Sequence, residues 1–140
     1  MEPNKQIKRI KTTAIVLVVL GGLMILSNLP AWILISLSEN FNSEVQYVHP
    51  VYFVLNGILL LSSGLLLKSI KKVGLNLTLI SSLSTVVLII VYSMPYITTM
   101  NGELETIGTI GSVFFMLLFL VPAIFMTRYL LKKEIKNLFN

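Results

Sequence analysis

VYFVLNGILLLSSGLLLKSIKKVGLNLTLISSLSTVVLIIVY, residues 51–92, consists of two apolar runs around one small basic turn. Each run comes close to the length of about twenty residues that carries an α-helix through roughly 30 Å of hydrocarbon. Lys68, Lys71 and Lys72 crowd the turn, and cationic loops stay on the cytoplasmic face of a bilayer. The turn has only about five residues, so the two helices it joins must be antiparallel neighbours. The fold class is settled here, as helices built for lipid.

The same pattern continues in both directions. Upstream, the cluster Lys5, Lys8, Arg9 and Lys11 precedes a run beginning TTAIVLVVLGGLMILSNLPAW. Pro30 removes a helical hydrogen bond and Trp32 favours the headgroup level, so a kink or exit is expected there, with 33–37 near the outer interface. A basic start and an apolar core also fit a signal peptide, but Leu29-Pro30-Ala31 is a poor cleavage site. Downstream, SMPYITTMNGELETIG leads to a last apolar run that returns the chain to Arg128 and a basic tail.

All 11 Lys and Arg residues fall in three stretches of four, three and four, and the gaps between alternate runs hold Glu39, Glu44, Glu103 and Glu105 with no basic residue. This charge pattern calls for an even number of crossings. The expected protein is all-α: a polytopic membrane protein with four transmembrane helices, about 12–36, 51–67, 73–92 and 109–127, in one compact domain spanning 1–140. Both termini are then cytoplasmic, and the expected location is a bacterial-type cell (inner) membrane. In the tail, 128–140, Leu131, Ile135 and Leu138 share one helical stripe and Arg128, Lys132 and Lys136 another. That layout suits either a basic amphipathic helix lying on anionic headgroups or a straight extension of the fourth helix. The first and third runs both begin after basic residues and end near a proline and an aromatic, Pro30 with Trp32 and Pro95 with Tyr96. Few letters are shared, and the charge rule alone produces half of this likeness.

Composition excludes several classes. With 55% hydrophobic and 12% charged residues and a mean hydropathy of +0.86, the chain has too little polar surface to coat a soluble globule. The net charge of +5 points to anionic lipid rather than nucleic acid, because the basic clusters abut apolar spans. Without cysteine there is no disulfide, thiolate metal site or thiol chemistry. No ionisable residue interrupts an apolar run, which argues against proton-coupled transport or an intramembrane hydrolase. His49 beside Glu44 is the sole conceivable acid–base pair, and a lone histidine before Pro50 suits helix entry better. No enzyme activity, cofactor or metal is expected.

Uncharged polar residues do occur at depth. Counted from the inner boundary at 1.5 Å per residue, Asn56 lies about 16 Å in, and Ser84 and Thr85 about 16 to 18 Å. Ser62 and Ser63 share a shallower level with Asn76. Cross-helix hydrogen bonds are predicted at both levels. Gly74, Thr78 and Ser82 recur every fourth residue, a small-residue stripe that lets another backbone approach, within the chain or from a second copy. Gly21 and Gly22 form a smooth patch on the first helix, and Pro122 frees the carbonyl of Leu118, where a hinge is expected.

The expected role is that of a small non-enzymatic membrane protein acting by helix–helix contact, as an accessory, regulatory or protective subunit. Its partners are then the bilayer, further copies of itself or another membrane protein. The alternative is a small oligomeric transporter or holin-like pore lined by Asn28, Asn56, Ser84 and Thr85. Four short spans are common to many unrelated membrane proteins, so architecture alone does not choose between them.

Overall fold

A computed structural model of the chain describes residues 3–37, 50–98, 110, 111, 113, 114 and 116–139. Every regular element among them is helical. Helix α1 runs Pro3–Leu37, α2 Pro50–Lys68 and α3 Lys72–Thr98. A π-helical segment, Met116–Leu120, leads into α4, Val121–Leu130, and a short α5, Lys133–Lys136, closes the described chain. Three helices are long and apolar enough to cross a membrane, and 116–130 is a shorter apolar helical stretch.

Several boundaries differ from expectation. Helix α1 begins at Pro3 rather than near residue 12, because Lys and Arg are good helix formers and the basic cluster simply extends the helix. Its end at Leu37 agrees with the expected 36, so of the kink or exit expected at Pro30 the exit does not occur. Proline costs a helix one hydrogen bond, a loss that a long helix absorbs without ending. Helix α3 likewise continues past 92, through Pro95. The tail is neither one amphipathic helix nor an extension of the fourth. Lys132 adopts an extended backbone that breaks the helix, Leu131 stays exposed, and Ile135 and Phe139 turn into the core.

The first two helices meet antiparallel across glycines. Gly21 packs on the backbone of Gly57 and Leu61, and Gly64 on the carbonyl of Ala14, so no side chain separates the two helices at these levels. Buried Ile10, Ala14, Leu17, Gly21 and Met24 alternate steps of four and three, the seam spacing of two helices packed side by side. On α2, Phe53, Leu60, Gly64 and Leu67 answer them. The turn into α3 is tight. Ser69 and Ile70 donate backbone hydrogen bonds to Leu66 and Leu67, and Ile70 takes a φ of 57°, a left-handed conformation that costs a β-branched residue roughly 1–2 kcal/mol. Packing of the Ile70 side chain against the core offsets that strain. At the far end of the hairpin, Phe53 and Tyr92 meet edge to face with ring centroids 5.3 Å apart.

The π-helical segment directly precedes Pro122. Proline has no N–H for the Leu118 carbonyl, and its ring crowds that oxygen, so the chain widens by one residue just before it. This places Phe119, Ala123, Met126 and Leu130 on the inner face. Gln6 Nε2 donates to Glu134 Oε2 at 3.5 Å, tying the start of α1 to α5. All three basic clusters therefore sit at one end of the packed helices.

Candidate functional site

The polar side chains that the apolar runs bury form a seam between α2 and α3. Asn56 is 2% exposed and donates through Nδ2 to Thr85 Oγ1 at 2.7 Å, with Met24 Sδ a longer contact at 3.5 Å. Thr85 in turn donates to the Ser81 carbonyl at 2.8 Å. Depth alone matches Asn56 with both Ser84 and Thr85, and the structure brings Thr85 to it while Ser84 is half-buried.

At the shallower level the partner is different. Ser81 Oγ lies 3.3 Å from Ser63 Oγ, while Asn76 is exposed and Ser62 only half-buried. The reason is rotation about the helix axis. Gly74, Thr78, Ser81 and Thr85 follow the four–three–four spacing of one face, and Asn76, two residues from both Gly74 and Thr78, points about 200° away at 100° per residue. Matching by depth ignored this angle, and the four–three spacing was the signal that would have found Ser81.

Thr78 Oγ1 donates to the Gly74 carbonyl at 2.8 Å and is fully buried, and Gly74 lies against the backbone of Leu66 and Leu67. The small stripe Gly74, Thr78, Ser82 is thus turned inward, where a second copy does not reach it. Gly21 serves the α1–α2 contact, whereas Gly22 has no neighbour that a Cβ would meet. Gly57 and Gly64, seven residues apart, were overlooked, and that spacing on a helix was the available signal.

Ser82 Oγ and Asn56 Oδ1 are buried without a hydrogen-bond partner among the described residues. Beside Ser82 and Thr85, bordered by Phe119 of the π-helical segment, Ala123 and Met126 of α4 and Leu17 of α1, lies a cavity of about 10 Å³. That is near the smallest space that holds one water, and two hydroxyls border it. It is not a passage. Of the residues expected to line a pathway, Asn28 turns back on its own helix, donating to the Met24 carbonyl and Ser27 Oγ at 2.9 Å each, and Ser84 is half-buried. Only Asn56 and Thr85 converge. His49, Glu39, Glu44, Glu103 and Glu105 lie outside the described residues.

Between their basic ends the outer faces of the helices are largely apolar. Ile15, Val19 and Leu65 are each more than half exposed, and with Val18 and Gly64 they border an outward groove of about 190 Å³ between α1 and α2. No protein family, curated protein or solved structure matches this chain.

Proposed function

We propose that the chain is an integral membrane protein with four crossings and both termini cytoplasmic, acting by helix–helix contact as an accessory, regulatory or protective subunit. The gathering of every basic cluster at one end of the helices supports the topology, since those clusters then share one face of the bilayer. The observation that carries the mode of action is the closed interior. Asn56 is engaged by Thr85 and Ser63 by Ser81, and glycines bring α1 and α2 together backbone to backbone, so the groups able to line a path hold the helices together instead. What the chain presents to the membrane is apolar surface, including the α1–α2 groove. In lipid such surfaces associate by close packing, to which glycine-bordered grooves are suited.

Photo-crosslinking side chains at Val19 and Leu65, compared with Leu83 on the outer face of α3, test this in native membranes. A single discrete adduct from the groove positions, either a dimer or one partner, is expected. No adduct from any position, together with a strictly monomeric protein in several mild detergents, would overturn the reading. Liposome flux that falls on Asn56→Leu would replace it with a pore.

A further inference from the structure

At the basic end of the helices, Arg9, Thr12 and Thr13 of α1 face Tyr129 of α4 across a groove of about 310 Å³. The hydrogen-bonding capacity of this groove is one-sided. Thr12 and Thr13 already donate their hydroxyl protons to the carbonyls of Lys8 and Arg9, at 3.1 and 3.0 Å. The Tyr129 hydroxyl has no partner among the described residues and lies just beneath the groove surface, so a phosphate reaches it by a small outward turn of the ring. Arg9 is exposed, no carboxylate among the described residues borders the groove, and their one acid, Glu134, is engaged by Gln6. Among the described residues the site therefore holds donors and one fixed positive charge, and no acceptor carrying negative charge.

We infer that this groove seats the phosphate of an anionic phospholipid headgroup, held by the Arg9 guanidinium and the Tyr129 hydroxyl. Its level along the helices is the first reason. Arg9 stands three residues before the apolar run that begins at Thr12, and Tyr129 two residues beyond the one that ends at Thr127, so the groove sits at the boundary between hydrocarbon and headgroups. Charge is the second. A planar guanidinium recognises phosphate in a fixed geometry, and the neighbouring Lys5, Lys8, Lys11 and Arg128 disfavour a headgroup that also carries a cation, such as choline. At neutral pH a phenol carries the proton that it would donate, and burial, against the pull of Arg9, favours that neutral form further.

The inference rests on the membrane reading above for its depth, but retention of lipid in micelles does not depend on sidedness, and reporter fusions at Asn42 and Asn101 test topology separately. The full chain is extracted from vesicles of equal phosphatidylcholine and phosphatidylglycerol, and lipid kept through native mass spectrometry is counted. One retained phosphatidylglycerol per chain is expected. Arg9→Gln should lower its retention about tenfold, the worth of one charge-assisted hydrogen bond, and Tyr129→Phe several-fold. Lys136→Gln, equally cationic and outside the groove, should change it little. Circular dichroism on each variant separates loss of lipid from loss of fold. Equal retention of both lipids, or equal losses from Arg9→Gln and Lys136→Gln, would overturn the site. Displacement of the lipid by inorganic phosphate would show that the groove takes the free anion instead.

Discussion

Gly21 and Gly22 are neighbours in sequence and take the same substitution, yet the structure assigns them opposite outcomes. A Cβ on Gly21 would stand 2.6 Å from the Gly57 carbonyl oxygen and 2.7 Å from the Leu61 amide nitrogen, both backbone atoms that no rotamer change can move. Ordinary contact begins at 3.4 Å, so α1 and α2 must part locally by 3.4 less 2.6, or about 0.8 Å. A gap of that order forfeits a quarter to a half of the dispersion energy across the separated surface, and inserted methyl groups in tight cores cost about 1–3 kcal/mol. A Cβ on Gly22 meets nothing within 4 Å. Gly22→Ala should therefore be neutral or gain up to about 1 kcal/mol from the better helix propensity of alanine. The assay is reversible unfolding in mixed micelles with increasing denaturing detergent, followed by far-ultraviolet circular dichroism. Midpoints that coincide for the two variants would refute the α1–α2 contact as described.

Thr85→Val keeps the shape of the side chain but strands the Asn56 amide in the interior, and should cost about 1–3 kcal/mol in the same assay; adding Asn56→Val should recover most of this, because replacing both partners leaves no orphan. Ser82→Ala removes a buried hydroxyl without a partner and should leave stability unchanged or raise it by up to about 1 kcal/mol, whereas a marked loss would mean the hydroxyl is satisfied within the cavity. Pro122→Ala restores the amide that the Leu118 carbonyl lacks, so 116–120 should wind into regular α-helix and gain protection in hydrogen exchange. Because burial raises the Tyr129 pKa above 10.0, the folded state prefers the neutral phenol. That contribution to stability is complete below the ordinary value and is lost as pH rises through the folded one, and Tyr129→Phe should flatten this part of the alkaline unfolding curve.

The parts of this structure legible in the sequence are those governed by free energies of several kcal/mol per residue. Lysines at 68, 71 and 72 resist entry into hydrocarbon, so the α2–α3 turn, both ends of α2 and the start of α3 follow to within a residue, whereas the far end of α3 runs six residues past expectation. The inward face of each helix was not legible, because soluble helices reveal it through polar residues on the other side, and here Leu83 and Val87 face out while Leu75 and Ile89 face in. Small and polar residues are the only guides to rotation in such a chain. They located Asn56 opposite Thr85, but matching by depth chose Asn76 where rotation selects Ser81. The tail failed for a different reason. Nothing between Leu131 and Lys133 is glycine or proline, so the break at Lys132 comes from the burial of Ile135 and Phe139, a tertiary cause that local pattern does not contain.

That break bears on how the basic end of the molecule is built. Had α4 run straight on, Arg128, Lys132 and Lys136 would have extended in line away from the helices, and their charges would have met only solvent or the membrane surface. With the chain turned at Lys132, Ile135 and Phe139 fill the core beneath α1, Glu134 engages Gln6, and the end of α4 is held against Arg9 and the two threonines. The Tyr129 hydroxyl is thereby enclosed beside a guanidinium instead of reaching water. A cationic flank of the kind any membrane helix carries would need none of this enclosure. Cutting the chain after Lys132 separates the two descriptions: a simple anchor keeps its fold and its lipid, whereas a groove propped by the tail loses phosphatidylglycerol retention while α1, α2 and α3 stay folded.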